Sequence, residues 1–397
     1  MASSVVASAR ATQRGSLWLA PFDVIGVCLQ TAVFLYIGVV GGILDLLSHA
    51  GQALLPMARI NGVIEKAARA VAPRILADQR DWPILPVLAS ITILAPASVA
   101  LQIVLIGRGV PWLLVCAAHH AVLLGAGGRR FAKVFSIKHN EAHRPKGFFR
   151  GPGKRLLRRY TEALSMFFYG NIFGLDYIHH VKVHHAEDGG PDDPQNSHGY
   201  DRTSTWDFLR YVGVRHLAVT LGFATPRWLR KHNRVRDARV FAVSILVFYA
   251  WVAGLLWLNW RLAMAVAIGP LLLSNVFAAL ASWLQHAFES RNTTDPIANT
   301  ITLISPTEYL NEGYHLAHHY RSGTHWTELP QRFEEWRARN PGAQPIVLEG
   351  VDWVDLAVLL YVRRRLDLVA ERWISAGQAN VTLETRTALL RERLGGG

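Results

Sequence analysis

The sequence predicts an all-α, polytopic membrane protein with about four spanning helices in two hairpins, capped by a polar helical domain. Three observations carry this reading. Of the 397 residues, 51% are hydrophobic, and they gather into runs at 22–47, 84–106, 239–257 and 262–284, each near the roughly 20 residues that a bilayer crossing needs. Some of these runs are separated by breakers too short for anything but a hairpin turn. Nine of the seventeen histidines fall into four short clusters in or beside the polar segments that flank the runs.

Taken in order, the residues before Phe22 carry only Arg10 and Arg14 and no small-residue cleavage site, so they read as a polar lead-in rather than a signal peptide. Gly107-Arg108-Gly109 with Pro111 separates the run 84–106 from a shorter one, 110–126, that contains His119 and His120; this is the first hairpin. Residues 127–205 are polar, with helical spacing over 154–168 and a Gly/Pro/Asp-rich loop at 189–196. The stretch 208–224 is interrupted by Arg210, Arg215 and His216 and reads as interfacial or buried. Asn259-Trp260-Arg261 turns the second hairpin, and a second polar block follows over 285–350, punctuated by Pro306, Pro330 and Pro341. Residues 353–373 are amphipathic and suited to the membrane surface, whereas 386–397 read as a charged, frayed end. The resulting division is 1–83, an N-terminal segment with one apolar helix; 84–350, the membrane and histidine-bearing domain; and 351–397, the C-terminal amphipathic helix and tail.

Composition excludes several classes. Cys28 and Cys116 both lie inside apolar runs, so there is no disulfide framework and no CxxC metal or redox motif. Trp82, Trp112, Trp257 and Trp260 sit at run ends, as interfacial belts do. The net charge of +13 is concentrated at 129–159, where Glu141 is the one acid, and at 227–239, directly before a run. Basic residues beside spans mark the cytoplasmic side and meet anionic headgroups of membrane lipids. No nucleic-acid-binding motif accompanies them, and nucleic acid is not an expected partner. Because a hairpin returns the chain to the side it left, all four histidine clusters are expected on that basic, cytoplasmic face.

The clusters read His139-Asn-Glu-Ala-His143, His180-Val-Lys-Val-His184-His185, Gln285-His286 and His315-Leu-Ala-His318-His319. Nine imidazoles exceed the shell of one ion, so two ions are the natural count. On a helix, residues three and four apart share a face. His139 and His143 can therefore reach one ion, as can His180 and His184, while His185 is turned about 100° away from its neighbour. His315, His318 and His319 offer one ring pair to one ion and a further ring to another. His179 precedes the second cluster and competes with His180. Glu141 stands two residues after His139 rather than directly after it, which argues against a His-Glu-x-x-His zinc protease. Soluble di-iron bundles pair two Glu-x-x-His motifs, and here that spacing occurs once, at Glu312-Gly-Tyr-His315. An imidazole-rich, carboxylate-poor site at a membrane face suits two oxygen-binding irons acting on a hydrocarbon chain held away from water. A metal transporter would place its ligands inside the spans, and these lie outside them.

In this order, the clusters resemble the three histidine boxes of the membrane fatty acid desaturase superfamily over about residues 84–335. The residues 186–195, AEDGGPDDPQ, resemble the acidic Asp-Pro stretch after the second box. Gln285-His286 stands where that family often has an extra ligand, and Asn311-Glu-Gly-Tyr-His315 resembles the lead-in to the third box. The resemblance implies a di-iron enzyme that uses O2 and two electrons from an external carrier of ferredoxin, rubredoxin or cytochrome b5 type. Its substrate would be a fatty acyl lipid or acyl-CoA, desaturated to an alkene; a lipid, alkyl or carotenoid hydroxylase or ketolase is the alternative. The ligands implied are His139, His143, His180, His184, His185, His286, His315, His318 and His319. Asp192 and Asp193 would orient imidazole N–H groups, with Asp188, Asn311 and His179 as further supporting candidates; the aspartates equally suit turns beside Gly189 and Pro191. No His-Pro-Gly-Gly haem stretch is present, so the carrier is expected to be separate, with 129–159 as a docking face for an acidic one. Of the remaining histidines, His49, His216 and His232 read as structural, His119 and His120 as candidates for the site or substrate channel, and His198 and His325 as packing near the boxes.

Overall fold

A computed structural model describes residues 20–54, 57–144, 146–288, 300–343, 345–374 and 381–395; the lead-in before residue 20 and the final two glycines lie outside them. Helices dominate. Among the described residues, the named strands are Thr302–Ile304 and Val347–Glu349, a parallel two-stranded ladder. Among the described residues, four helices are long and apolar enough to cross a membrane: Asp23–Ala50, Ile84–Gly107, Val235–Leu258 and Trp260–Gln285. They coincide with the four runs read from the sequence. A shorter apolar helix, Trp112–Leu124, has 13 residues and so extends about 20 Å, short of a ~30 Å hydrocarbon layer.

The chain divides into two compact units, one of Val33–Lys182 and Thr220–Asn275, the other of Met1–Ala32, Val183–Val219 and Val276–Gly397. In the first, Ile84–Gly107 and Trp112–Leu124 form a hairpin, and Val235–Leu258 turns into the next helix at Asn259. The Asn259 side chain accepts from the backbone N–H groups of Arg261 and Leu262, capping the new helix. Trp112 and Trp260 pack with ring centroids 5.8 Å apart, so the two turns share one end of this unit. The opposite end carries the helix Arg129–Ala142, which follows Trp112–Leu124, and the start of Val235–Leu258. There Lys182 pairs with Asp237 at 2.7 Å and Arg234 donates to the Lys182 carbonyl at 2.7 Å, tying the segment that bears His180 to a span. Gly170 ends the helix Lys154–Tyr169 at φ 66°, and any Cβ there would lie 2.3 Å from the Leu271 backbone nitrogen. Close approach and left-handed backbone both require glycine.

Within the same unit His119 and His120 are buried. His120 bonds Tyr36 at 2.8 Å and the Ala265 carbonyl at 2.9 Å, and His119 bonds Ser98 at 2.9 Å. These hydrogen bonds join helices to one another. A π-helical turn at Met264–Ile268 accompanies the Ala265 contact.

In the second unit the helix His315–Tyr320 packs on Leu329–Arg339 over a core of Leu316, Leu329, Phe333 and Trp336. The segment 208–224 is largely helical, with a π-type stretch Tyr211–His216 whose Tyr211, Val212 and His216 are buried. Two C-terminal expectations are corrected. Residues 353–373 are not one amphipathic helix: Trp353–Ala357 passes into a π-helical Val358–Val362, and the chain then bends at Arg364, φ 51°, before Leu366–Arg372. The charged end is helical over Leu383–Gly395, because Leu390 and Leu394 are buried and Arg386 donates to the Trp373 carbonyl at 3.1 Å.

Candidate metal centre

Helix geometry brings the histidines into groups. In the first unit His139 sits in the last turn of Arg129–Ala142 and His143 caps that helix. His180 lies on the helix Asp176–His184, whose hydrogen bonding is π-type. One nitrogen from each of these three lies within 4.8 Å of the others, and His180 Nε2 is 3.0 Å from His139 Nε2. His179 points elsewhere, its Nδ1 3.0 Å from the Thr225 hydroxyl, so of the two competing residues the structure places His180 in the group.

In the second unit His184, His286, His315 and His319 are all buried, with one nitrogen each within 4.8 Å of the others. His185 Nε2 lies 3.0 Å from His318 Nε2. His315 and His319, four apart, thus lie in one group, while His318 lies beside His185. His180 and His184 do not share a group as an α-helix would have it. A π-helix, bonded i to i+5, re-aims successive side chains, and the structure gives His184 to the buried tetrad.

Carboxylates stand behind two of the rings. His184 Nδ1 is 2.6 Å from Asp193 Oδ2, with both side chains almost fully buried. His319 Nδ1 is 3.0 Å from Asp188 Oδ1. A carboxylate accepts, so each Nδ1 carries the proton and each Nε2 turns its lone pair away from the carboxylate. Asp193 is itself held: its Oδ1 accepts the Gln195 N–H at 2.9 Å, and Arg215 donates to its carbonyl at 3.0 Å. Asp192, expected to share this work, is exposed at the adjoining turn; neighbouring residues of a turn point to different sides, and Asp193 is the inward one. Asn311 adopts φ 53° and donates to the Trp326 carbonyl at 2.9 Å, shaping the approach to the third cluster rather than backing an imidazole. Glu141, between His139 and His143, is buried and accepts the Phe148 N–H; burial first, then Glu162, pushes its carboxyl up to about 8.

The tetrad fits a cation. Both nitrogens of His315 and the Nε2 of His319 are buried without a hydrogen-bond partner, and each such atom costs about 1–3 kcal/mol unless something satisfies it. Burial, then neighbouring imidazoles, holds His315 well below the ordinary histidine range; burial brings His319 down to about 4 against the opposing pull of Asp188. Both are neutral near pH 7, so no proton competes for the lone pairs. Two nitrogens at about 2.0–2.1 Å from one ion stand roughly 3 Å apart, matching His139–His180 and His185–His318. A hydrogen bond between neutral imidazoles has the same length, and the orphaned nitrogens of His315 and His319 favour the metal.

The model of the fatty acid desaturase family matches residues 110–347, more than half of the chain. The chain belongs to the fatty acid desaturase family. No curated protein and no solved structure matches it. Membership makes this chain one of a membrane-bound oxidoreductase family acting on lipid or acyl substrates, and its histidine groups are of a kind able to bind metal. Sequence reasoning did not find Thr225, Arg215 or the Lys182–Asp237–Arg234 cluster, whose roles arise from contacts distant in the chain. Among the other histidines, His325 Nδ1 lies 2.8 Å from the Thr327 hydroxyl, His232 stacks on Trp228 and donates to its carbonyl, and His198 is exposed.

Proposed function

We propose that this desaturase-family protein is a di-iron enzyme that introduces a C=C bond into a fatty acyl chain, as acyl-lipid or acyl-CoA. It would use O2 and two electrons from a separate carrier. The observation that carries the reading is the buried, carboxylate-free tetrad with Asp193 and Asp188 fixing the tautomers of His184 and His319. Neutral nitrogen donors with protonated outer nitrogens suit a redox-active divalent ion. The nine box histidines would hold two irons, which supply the oxygen-activating chemistry when bound. His139, His143 and His180 are the donors from the first unit; His184, His185, His286, His315, His318 and His319 are those from the second.

The chain's own residues have three tasks. Asp193 and Asp188 keep the Nδ1 protons on the outer side and the Nε2 lone pairs inward. Thr225 holds His179 aside, and the Lys182–Asp237 pair anchors the helix that bears His180. Burial of the tetrad excludes water from the reacting volume. The basic segments 129–159 and 227–239 favour a cytoplasmic, multi-pass placement, with the former as the docking face for an acidic carrier of ferredoxin, rubredoxin or cytochrome b5 type.

The test is expression in a host with a defined lipid profile, followed by gas chromatography–mass spectrometry and metal analysis of the purified protein. New unsaturated chains dependent on O2, with iron in the protein, are expected. A hydroxylated product would move the reading to the hydroxylase branch. Full activity with zinc in place of iron, or in a His184→Ala or His318→Ala variant, would overturn the di-iron assignment.

A further inference from the structure

The helix Met57–Ile75 is separated by two residues from Ala20–Leu54, which contains the first span, and packs only lightly on its unit. Ala68 and Ala72 are its buried contacts, at 7% and 1% exposure. Ile60, Val63, Ile64 and Val71 are instead exposed, at 40%, 65%, 43% and 40%. At 3.6 residues per turn these four occupy an arc of roughly 100°, the two alanines the next arc, and Glu65, Lys66, Arg69 and Arg59 the remainder. The helix thus has one flank against protein, one apolar flank in the open and one basic flank. Its four basic residues outnumber its one acid. Arg59, Lys66 and Arg69 form the basic flank, where Arg69 pairs with Glu65 at 2.7 Å, and Arg74 falls in the last turn within the apolar arc. Arg69 lies 4.0 Å over the Trp82 ring, an aromatic just before the span Ile84–Gly107.

We infer that Met57–Ile75 is an interfacial helix that lays its Ile60/Val63/Ile64/Val71 stripe into the acyl layer of an anionic phospholipid leaflet, with Lys66 and Arg69 at the headgroups. Continuity with a span places it at the bilayer boundary, and basic charge beside an apolar stripe is the chemistry that an anionic leaflet takes. The helix Lys154–Tyr169 repeats the pattern in the same unit: Leu156 is 73% exposed among Arg155 and Arg159, and Tyr160 bonds Thr92 of the span at 2.7 Å.

The test uses the full chain in nanodiscs of phosphatidylcholine with and without phosphatidylglycerol. An environment-sensitive dye is placed at Val63→Cys, or at Val71→Cys as a second position on the stripe, in a Cys28→Ser, Cys116→Ser background. Lipids bearing a quencher on the acyl chain should quench these dyes severalfold more than aqueous iodide does, and a dye at Lys66→Cys should show the reverse. Lys66→Glu with Arg69→Glu should reduce the lipid quenching only in the anionic discs. A stripe dye open to iodide, or shielded from both quenchers by a second copy or a protein partner, would overturn the inference. So would quenching that is the same in both lipids and insensitive to the charge reversals.

Discussion

Replacing Asp193 by asparagine removes one charge and almost no volume from the backing of the tetrad. Asp193 has two obligations, accepting His184 Nδ1–H at 2.6 Å and the Gln195 N–H at 2.9 Å. An asparagine meets only one. If its oxygen stays on Gln195, its NH2 faces His184, which must then carry its proton on Nε2 and lose its inward lone pair. If the amide flips, His184 keeps its tautomer, but two N–H groups confront each other at Gln195, a cost of about 1–3 kcal/mol. Loss of a buried partner behind a ligating imidazole lowers metal affinity about 10–100-fold, or about 1.4–2.8 kcal/mol at 1.4 kcal/mol per tenfold. Asp188 is 34% exposed and 3.0 Å from His319, so water screens and replaces it, and Asp188→Asn belongs at or below the lower end of that range.

The assay is competition of the purified protein for iron against a graded series of chelators, read by elemental analysis, with thermal unfolding of the metal-free forms as a control. Asp193→Asn should need a markedly weaker chelator to lose its iron than Asp188→Asn does, while the metal-free forms unfold near the wild-type temperature. Iron affinity within about twofold of wild type in Asp193→Asn would refute the tautomer argument. A metal-free variant that fails to fold would show instead that Asp193 acts through the backbone of its loop.

Three further outcomes are expected. His180→Ala should lose bound iron and O2-dependent turnover, whereas His179→Ala should retain both and lose only about 1 kcal/mol of stability with the Thr225 bond; iron content separates them, and equal loss would undo the assignment. Burial, followed by Glu312 and Asp352, pushes the Glu308 carboxyl from 4.5 up to about 8. The folded state therefore binds this proton more tightly, so its contribution is complete below about pH 4.5 and falls as pH rises toward about 8. Melting temperatures across that window should decline less in Glu308→Gln than in wild type, and parallel curves would contradict the shift. Gly170→Ala should cost about 2–4 kcal/mol through its φ of 66° and the 2.3 Å approach to Leu271; a melting point equal to wild type would mean that this turn relaxes freely.

The spans and clusters were legible because they depend on local pattern. Apolar runs, the Gly107–Pro111 and Asn259 breakers and the His-x-x-x-His spacings hold whatever surrounds them. What escaped depends on contacts far away in sequence. His179 and His180 are neighbours of equal chemistry, and Thr225, 46 residues on from His179, separates them. The sequence named Asp188, Asp192 and Asp193 as candidates behind the imidazoles without ranking them; the turn sends Asp192 outward, while Asp188, at φ 46°, reaches His319 and Asp193 reaches His184. The π-type winding of Asp176–His184 carries no sequence signature, yet it assigns His180 to one histidine group and His184 to another. The end of the chain read as frayed because charges dominate it, although Leu390 and Leu394 suffice to dock a helix. The scarcity of carboxylates at this centre has the same physical basis. Glu141 lies within the first cluster, yet it turns to the Phe148 N–H and is held toward its neutral form, while Asp188 and Asp193 face the outer nitrogens. Their negative charge would thus reach a cation held by the buried tetrad through neutral imidazoles, with no carboxylate among the tetrad's own donors.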